Sequence, residues 1–247
     1  MPENEGATIQ PAAPGMSASG RLVNVILDPT RAFADIAARP GWWLPMILLM
    51  AATLAYMAAF SSRVGWARFL EQQLETNKQT QDLPADQRER ILQTQVKFAE
   101  PLATVAAVAG TPVFMCVTAG VMVFIFGTLL GATVKFRQAL GVVSYASLPH
   151  LLETAAFLLV LFIRDPAGFD LKNPAGFNIG FYLDPHAAPW LVSLGTSIDV
   201  FSIWVILLLA TGMAAVSKKS WKSSLLAVAA PWAVYVIGKV LWAAILG

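Results

Sequence analysis

Residues Leu102–Gly131 read LATVAAVAGTPVFMCVTAGVMVFIFGTLLG, thirty residues without an acidic or basic side chain. About 20 apolar residues in a helix, each rising about 1.5 Å, cross the roughly 30 Å hydrocarbon core of a bilayer. No water is available there to pair with backbone N–H and C=O groups, so the segment must close its own hydrogen bonds as a helix. Four more runs satisfy the same arithmetic: Trp42–Phe60, Val142–Ile163, Leu191–Val216 and Ser223–Leu246. The expected fold is all-α, a polytopic membrane protein with five transmembrane helices. The thirty-residue run is long enough to need tilt or bending. Pro112 within it, and Pro149 in the third run, each remove a ladder donor and predict kinks.

Composition agrees. Of 247 residues, 57% are hydrophobic and 13% charged, against about 45–50% and about 25% in soluble domains. The net charge of +2 is too balanced for nucleic-acid binding, which needs a concentrated basic field. Cys116 is the single cysteine, and His150 and His186 are the only histidines. No intramolecular disulfide can form, and no thiolate–imidazole metal set can be built. No metal or other cofactor is expected.

Working outward, residues 1–20 form a tail rich in Pro, Ala, Gly and Ser, without apolar periodicity, and are expected to be disordered. It lacks the basic and apolar regions of a signal peptide. Residues 21–41 differ. Leu22, Val25, Ile26, Phe33 and Ile36 recur at helical spacing, and Asp28-Pro29 can cap and start a second short helix. Two readings fit equally: an amphipathic segment lying on the membrane surface, or a connector packed on the bundle. The five-span domain then covers 42–247.

Residues 61–101 form the longest hydrophilic stretch, with six basic and six acidic side chains. Trp66, Phe69, Leu70 and Leu74 make one helical stripe; Ile91, Leu92 and Phe98 lie on a second helix restarted by Asp82-Leu83-Pro84. This predicts a helical hairpin standing off the membrane between spans 1 and 2. Its two stripes are expected to face each other; the readings left open are a self-packed, solvated hairpin and a surface that binds an unidentified protein partner.

Between spans 3 and 4, Asp165-Pro-Ala-Gly-Phe-Asp-Leu171 is echoed by Asn173-Pro-Ala-Gly-Phe-Asn-Ile179. Asp/Asn-Pro followed by Gly makes successive turns, and Phe169, Phe177, Phe181, Tyr182 and Trp190 can seat the loop at the lipid interface.

Basic residues bias orientation. Arg21, Arg31 and Arg39 precede span 1; Lys135 and Arg137 join spans 2 and 3; Lys218, Lys219 and Lys222 join spans 4 and 5. These segments share one side, predicted to be cytoplasmic. The expectation is an inner-membrane protein with its N-terminus inside and its C-terminus outside.

Four ionisable residues fall within spans: His150, Glu153, Asp199 and Lys239. Each costs about 2.5–3.5 kcal/mol at mid-membrane on insertion scales. Counting rise along the spans puts Glu153, Asp199 and Lys239 at similar depths, which predicts that Lys239 pairs with Asp199 or Glu153. Such a cluster is either a structural ion pair or a proton or ion path. Gly120, Gly127 and Gly131 give span 2 a small-residue stripe ending in GxxxG, suited first to internal helix packing and second to self-association. No nucleophile elbow, Walker A loop or HExxH occurs, so no enzyme is expected.

Further residues carry a resemblance. Pro29-x-x-x-Phe33-x-x-Ile36 followed by Pro40 and Pro45, then Tyr145-Ala-Ser-Leu-Pro149, then Asp199-Val-Phe-Ser-Ile-Trp204 running to Gly212, resemble the Yip1 domain family over about residues 21–247. The resemblance implies five spans with a cytosolic N-terminus. Eukaryotic relatives are Golgi and endoplasmic-reticulum proteins that interact with Rab GTPases. This chain lacks their large N-terminal domain and Asp-Leu-Tyr-Gly-Pro motif, and it carries the long 61–101 insertion, so it looks like a bacterial branch and Rab binding is not implied. The expected function is non-enzymatic, through contacts with proteins or membrane lipids. The alternative is a small transporter or channel built round the four ionisable residues.

Overall fold

The computed structural model describes residues 15–76, 80, 83–165, 175–184 and 186–246. Residues 1–14 of the expected tail, and the first copy of the Pro-Ala-Gly-Phe repeat, lie outside them. Five helical segments among the described residues are long and apolar enough to cross a membrane: Trp43–Arg63, Ala85–Leu129, Phe136–Ile163, Val200–Ser217 and Trp221–Ile245. The all-α five-span reading therefore holds.

Two short helices precede the spans, α1 (Ala18–Leu27) and α2 (Pro29–Ala38). Ser17 caps α1 by accepting from the Gly20 N–H, so helix begins inside the stretch expected to be disordered. Asp28 caps α2 by accepting from Arg31 N, with Pro29 at its first position. Of the two readings for this segment, packing on the bundle is observed. Ala32, Phe33 and Ile36 are fully buried, and α2 lies against the third and fourth spans. The apolar stripe of α2 faces protein side chains, while Val23 and Leu27 of α1 stay exposed.

Span 1 is α3 (Trp43–Arg63). Gly65, at φ 81°, turns the chain into α4 (Trp66–Thr76). Span 2 belongs to α5 (Ala85–Phe124), extended by a π-helical turn over Ile125–Leu129 and stopped at Gly131, φ 61°. The whole helix has 45 residues, about 67 Å at 1.5 Å each, or twice the hydrocarbon thickness. Its polar N-terminal third is thus more than one crossing requires. Here α4 packs against α5, giving the expected hairpin. The two stripes meet only in part. Phe60 and Leu161 are fully buried at the hairpin base, with Trp66 and Phe69 packed edge-on against Phe60. Leu74 is buried farther out, whereas Phe98 is exposed.

Span 3 is two helices, α6 (Phe136–Ala146) and α7 (Pro149–Ile163). Pro149 occupies the first position of α7, where its missing N–H is least costly. Span 4, expected as one helix, is also broken. The short α8 (Pro189–Ser197) ends before Asp199, which caps α9 (Val200–Ser217) by accepting from the Ser202 N–H at 2.8 Å. Span 5 is α10 (Trp221–Leu246).

The core joins elements far apart in sequence. Phe33 and Ile36 pack with Val142 of α6 and Leu209 and Met213 of α9. Gln138 Nε2 donates to the Ala37 carbonyl at 2.8 Å. The three basic segments therefore lie at one end of the bundle.

Candidate intramembrane site

His150 opens the first turn of α7, directly after Pro149, and one turn later comes Glu153. The i, i+3 spacing brings them together: His150 Nδ1 lies 2.7 Å from Glu153 Oε2. The dyad is partly buried. Thr154 Oγ1 donates back to the His150 carbonyl at 2.8 Å.

Two cavities flank His150. The larger, about 490 Å³, lies between spans 2, 3, 4 and 5. Its walls are mainly apolar, including Met122, Val143, Leu209 and Val228, with Ser147, His150, Ser202 and Tyr235 among the polar residues. The smaller, about 320 Å³, lies between spans 1, 2 and 3 and shares Phe114, Ser147 and His150 with the first. Ser147 Oγ donates to the Val143 carbonyl at 2.8 Å, and Ser144 Oγ likewise to Leu140. Both hydroxyls back-bond their own helix, the common fate of serine in a span.

Lys239 and Asp199 do not join the His150 dyad. Lys239 Nζ donates to Ser197 Oγ at 3.0 Å and to Thr196 Oγ1 at 3.3 Å. Both hydroxyls stand on the last turn of α8, whose negative dipole end favours a cation. Among the described residues the ion pairs are Arg21–Asp35, Arg39–Asp35 and His150–Glu153. The pairing of Lys239 with Asp199 or Glu153 is therefore not observed. Asp199 is instead a helix cap at a break in the span. Depth counted along a straight helix could not reveal that break.

The break is held by a distant segment. Residues 177–182 fold back onto it: Ile179 N donates to the Ile198 carbonyl, and Val200 N to the Phe177 carbonyl. Asn178 and Asp199 form an isolated antiparallel bridge. Gly180 and Gly195 let the two backbones touch, because a Cβ on Gly180 would stand 2.7 Å from the Thr196 nitrogen. Phe177, one of the expected interfacial aromatics, packs edge-on against Phe201 at 5.2 Å between centroids.

The internal packing expected first for the glycine stripe is not observed. A Cβ at Gly120 or Gly131 would meet nothing within 4 Å, and at Gly127 only the Ala132 carbonyl at 3.9 Å. No neighbouring helix closes on it. Gly131 serves its positive φ instead. The close helix approach is at Gly212, where a Cβ would lie 2.3 Å from Val142 Cγ1 and 2.8 Å from Phe33 Cδ1. Cys116 is exposed on the outer face of span 2.

Reading the sequence alone did not mark a second polar constellation. Arg21 Nε donates to Asp35 Oδ2 at 2.7 Å, both side chains about nine-tenths buried. Arg39 Nη2 lies 3.4 Å from Asp35 Oδ1, which also accepts from the Met16 N–H. Arg21 faces Tyr145, itself buried on α6. The signal was present, since Arg21 and Asp35 lie on the apolar sides of α1 and α2. In the sequence, Arg21 serves only as an orientation charge.

Among the described residues no group of His, Cys, Asp or Glu is suited to hold a metal ion. No curated protein and no solved structure matches this chain. The family model of the Yip1 domain matches residues 23–243. That match takes in half of α1, all of α2, the hairpin and the five spans to within three residues of the last helix's end. The chain is an integral, multi-pass membrane protein that belongs to the Yip1 domain family.

Proposed function

We propose that this protein acts without catalysis, as a membrane organiser that engages a protein partner through its 61–101 hairpin. The observation that carries the reading is the continuity of α5. A 45-residue helix, seated in the bilayer by its apolar two-thirds, carries its polar third, Ala85–Glu100, about 24 Å beyond it. Its base is pinned by the Phe60, Trp66 and Leu161 cluster. Arg63, at the same end, donates to the Phe162 carbonyl and lies over the Phe162 ring. A rigid, charged arm of this kind presents a preformed surface and limits the ordering cost of binding. The basic-residue bias supports an N-terminus in the cytoplasm and the arm outside, and the reading takes the membrane to be an inner membrane.

The transporter reading needs the four ionisable residues to act together, and they occupy three separate sites. In-cell crosslinking followed by mild-detergent purification tests the arm. A near-stoichiometric partner that disappears when residues 64–98 are deleted, while the bundle stays monodisperse, is the expected result. A partner retained by the deletion variant overturns the reading.

A further inference from the structure

We infer that the larger cavity is a binding site for one glycerophospholipid, with its phosphate at Lys239 and an acyl chain in the cavity. Three observations at three depths support this, and none involves the hairpin.

The first is the apolar floor. Val228, Val143 and Leu209 lie about 10–12 Å from the membrane end marked by Trp221, Phe136 and Ser217. A 490 Å³ volume lies within the usual range for ligand pockets of about 300–1,000 Å³. Phe114, Val117 and Tyr235 on its lining are exposed, and an opening on the apolar sides of spans 2 and 5 would admit acyl chains.

The second is a polar belt. Ser202 and Tyr235 line the cavity at about 21–22 Å from that end. Neither hydroxyl has a protein hydrogen-bond partner among the described residues. His150 is at the same level, and its Nδ1 is engaged by Glu153. Hydroxyl donors without acceptors are costly in hydrocarbon. Ester carbonyls would supply the acceptors.

The third is a cation above the belt. Val228, Trp232, Tyr235 and Lys239 recur at spacings of four, three and four, one stripe along α10. Lys239 is thus one turn, about 6 Å, beyond Tyr235. Its ammonium is steadied by Thr196 and Ser197 and has no carboxylate in ion-pair range among the described residues. One of its three donors remains for a phosphate oxygen. Cation, hydroxyl donors and apolar slot follow the order of phosphate, glycerol esters and chain in a lipid.

The test uses the full chain in nanodiscs with two photoreactive probes, phosphatidylglycerol and diacylglycerol, each bearing a diazirine on the acyl chain. Phosphatidylglycerol is expected to label cavity residues such as Leu209 and Val228, saturably against unlabelled lipid. Val205→Trp, which fills the cavity, should abolish this labelling. Val234→Trp, at a residue exposed outside the cavity, should not. Lys239→Gln should lower phosphatidylglycerol labelling about tenfold, the loss of one charge-assisted bond, to the level of diacylglycerol. Labelling that cannot be saturated overturns the site, with or without a folded Val205→Trp protein. Equal labelling by diacylglycerol in the unaltered chain overturns the role of Lys239. Deletion of the hairpin should leave all of this unchanged, so failure here is separable from failure of the partner reading.

Discussion

Gly212 has no side chain at the point where α2, α6 and α9 converge. A methyl group there would stand 2.3 Å from Val142 Cγ1 and 2.8 Å from Phe33 Cδ1. Neither neighbour can retreat, since both are fully buried. Gly212→Ala should therefore destabilise the protein by about 1–3 kcal/mol, the cost of overpacking. Thermal unfolding in detergent would measure it. Gly120→Ala is the matched control. The space around it is open, and its stability should change by less than about 0.5 kcal/mol. Equal sensitivity of the two would refute the packing described. At the same scale, serine, lysine and histidine differ in how they are accommodated within a span. Ser144 and Ser147 back-bond their own helix, Lys239 borrows hydroxyls from a neighbour, and His150 pairs with the carboxylate one turn on.

At the scale of the element, α1 and α2 are fastened by charge as well as by apolar contact. Asp35 accepts from Arg21 and the Met16 N–H, lies in ion-pair range of Arg39, and is largely buried. Removing one partner of a buried pair leaves the other charge uncompensated, at about 3–5 kcal/mol. Asp35→Ala should strip α1 from the bundle, seen as rapid proteolysis near residues 21–28 while the five spans remain protected. The double variant Arg21→Met with Asp35→Leu should recover much of the loss, since apolar replacement of both partners removes the uncompensated charge. If Asp35→Ala is as resistant to protease as the parent, the lock is unimportant. Element breaks follow the same logic of local supply. Span 3 breaks where Pro149 lacks a donor, and span 4 breaks where Asp199 supplies an acceptor and residues 177–182 supply a partner strand.

For the whole molecule, five crossings put the chain's two ends on opposite sides. The proposed orientation makes a definite forecast. A reporter active only outside the cytoplasm should be active when fused after Leu246 or inserted at about residue 80, and inactive when fused before Met16. The opposite pattern would invert the arm and the lipid site together. Deleting 64–98 should remove a partner without unfolding the bundle, because the large core of the five spans contains no hairpin residue.

The number and approximate position of the spans were legible from the chain alone. That information is local: each apolar run must form a helix in lipid whatever its neighbours do. The family resemblance was legible for a similar reason, since it rests on the order of short motifs. The off-membrane hairpin was readable from its charge and its two stripes. What the sequence could not determine was how polar groups inside the spans find partners. Lys239 was matched to carboxylates by depth, yet depth along one helix says nothing about which face meets which neighbour. Residues 177–182 break span 4 from about twenty positions away, converting a mid-span aspartate into a cap and giving Lys239 two hydroxyls instead. Whether α2 lay on the membrane or on the bundle was also undecided, because lipid and protein offer an apolar stripe the same solvent. Only the tertiary structure, through Gly212 and the Arg21–Asp35 pair, shows that α2 packs on the bundle.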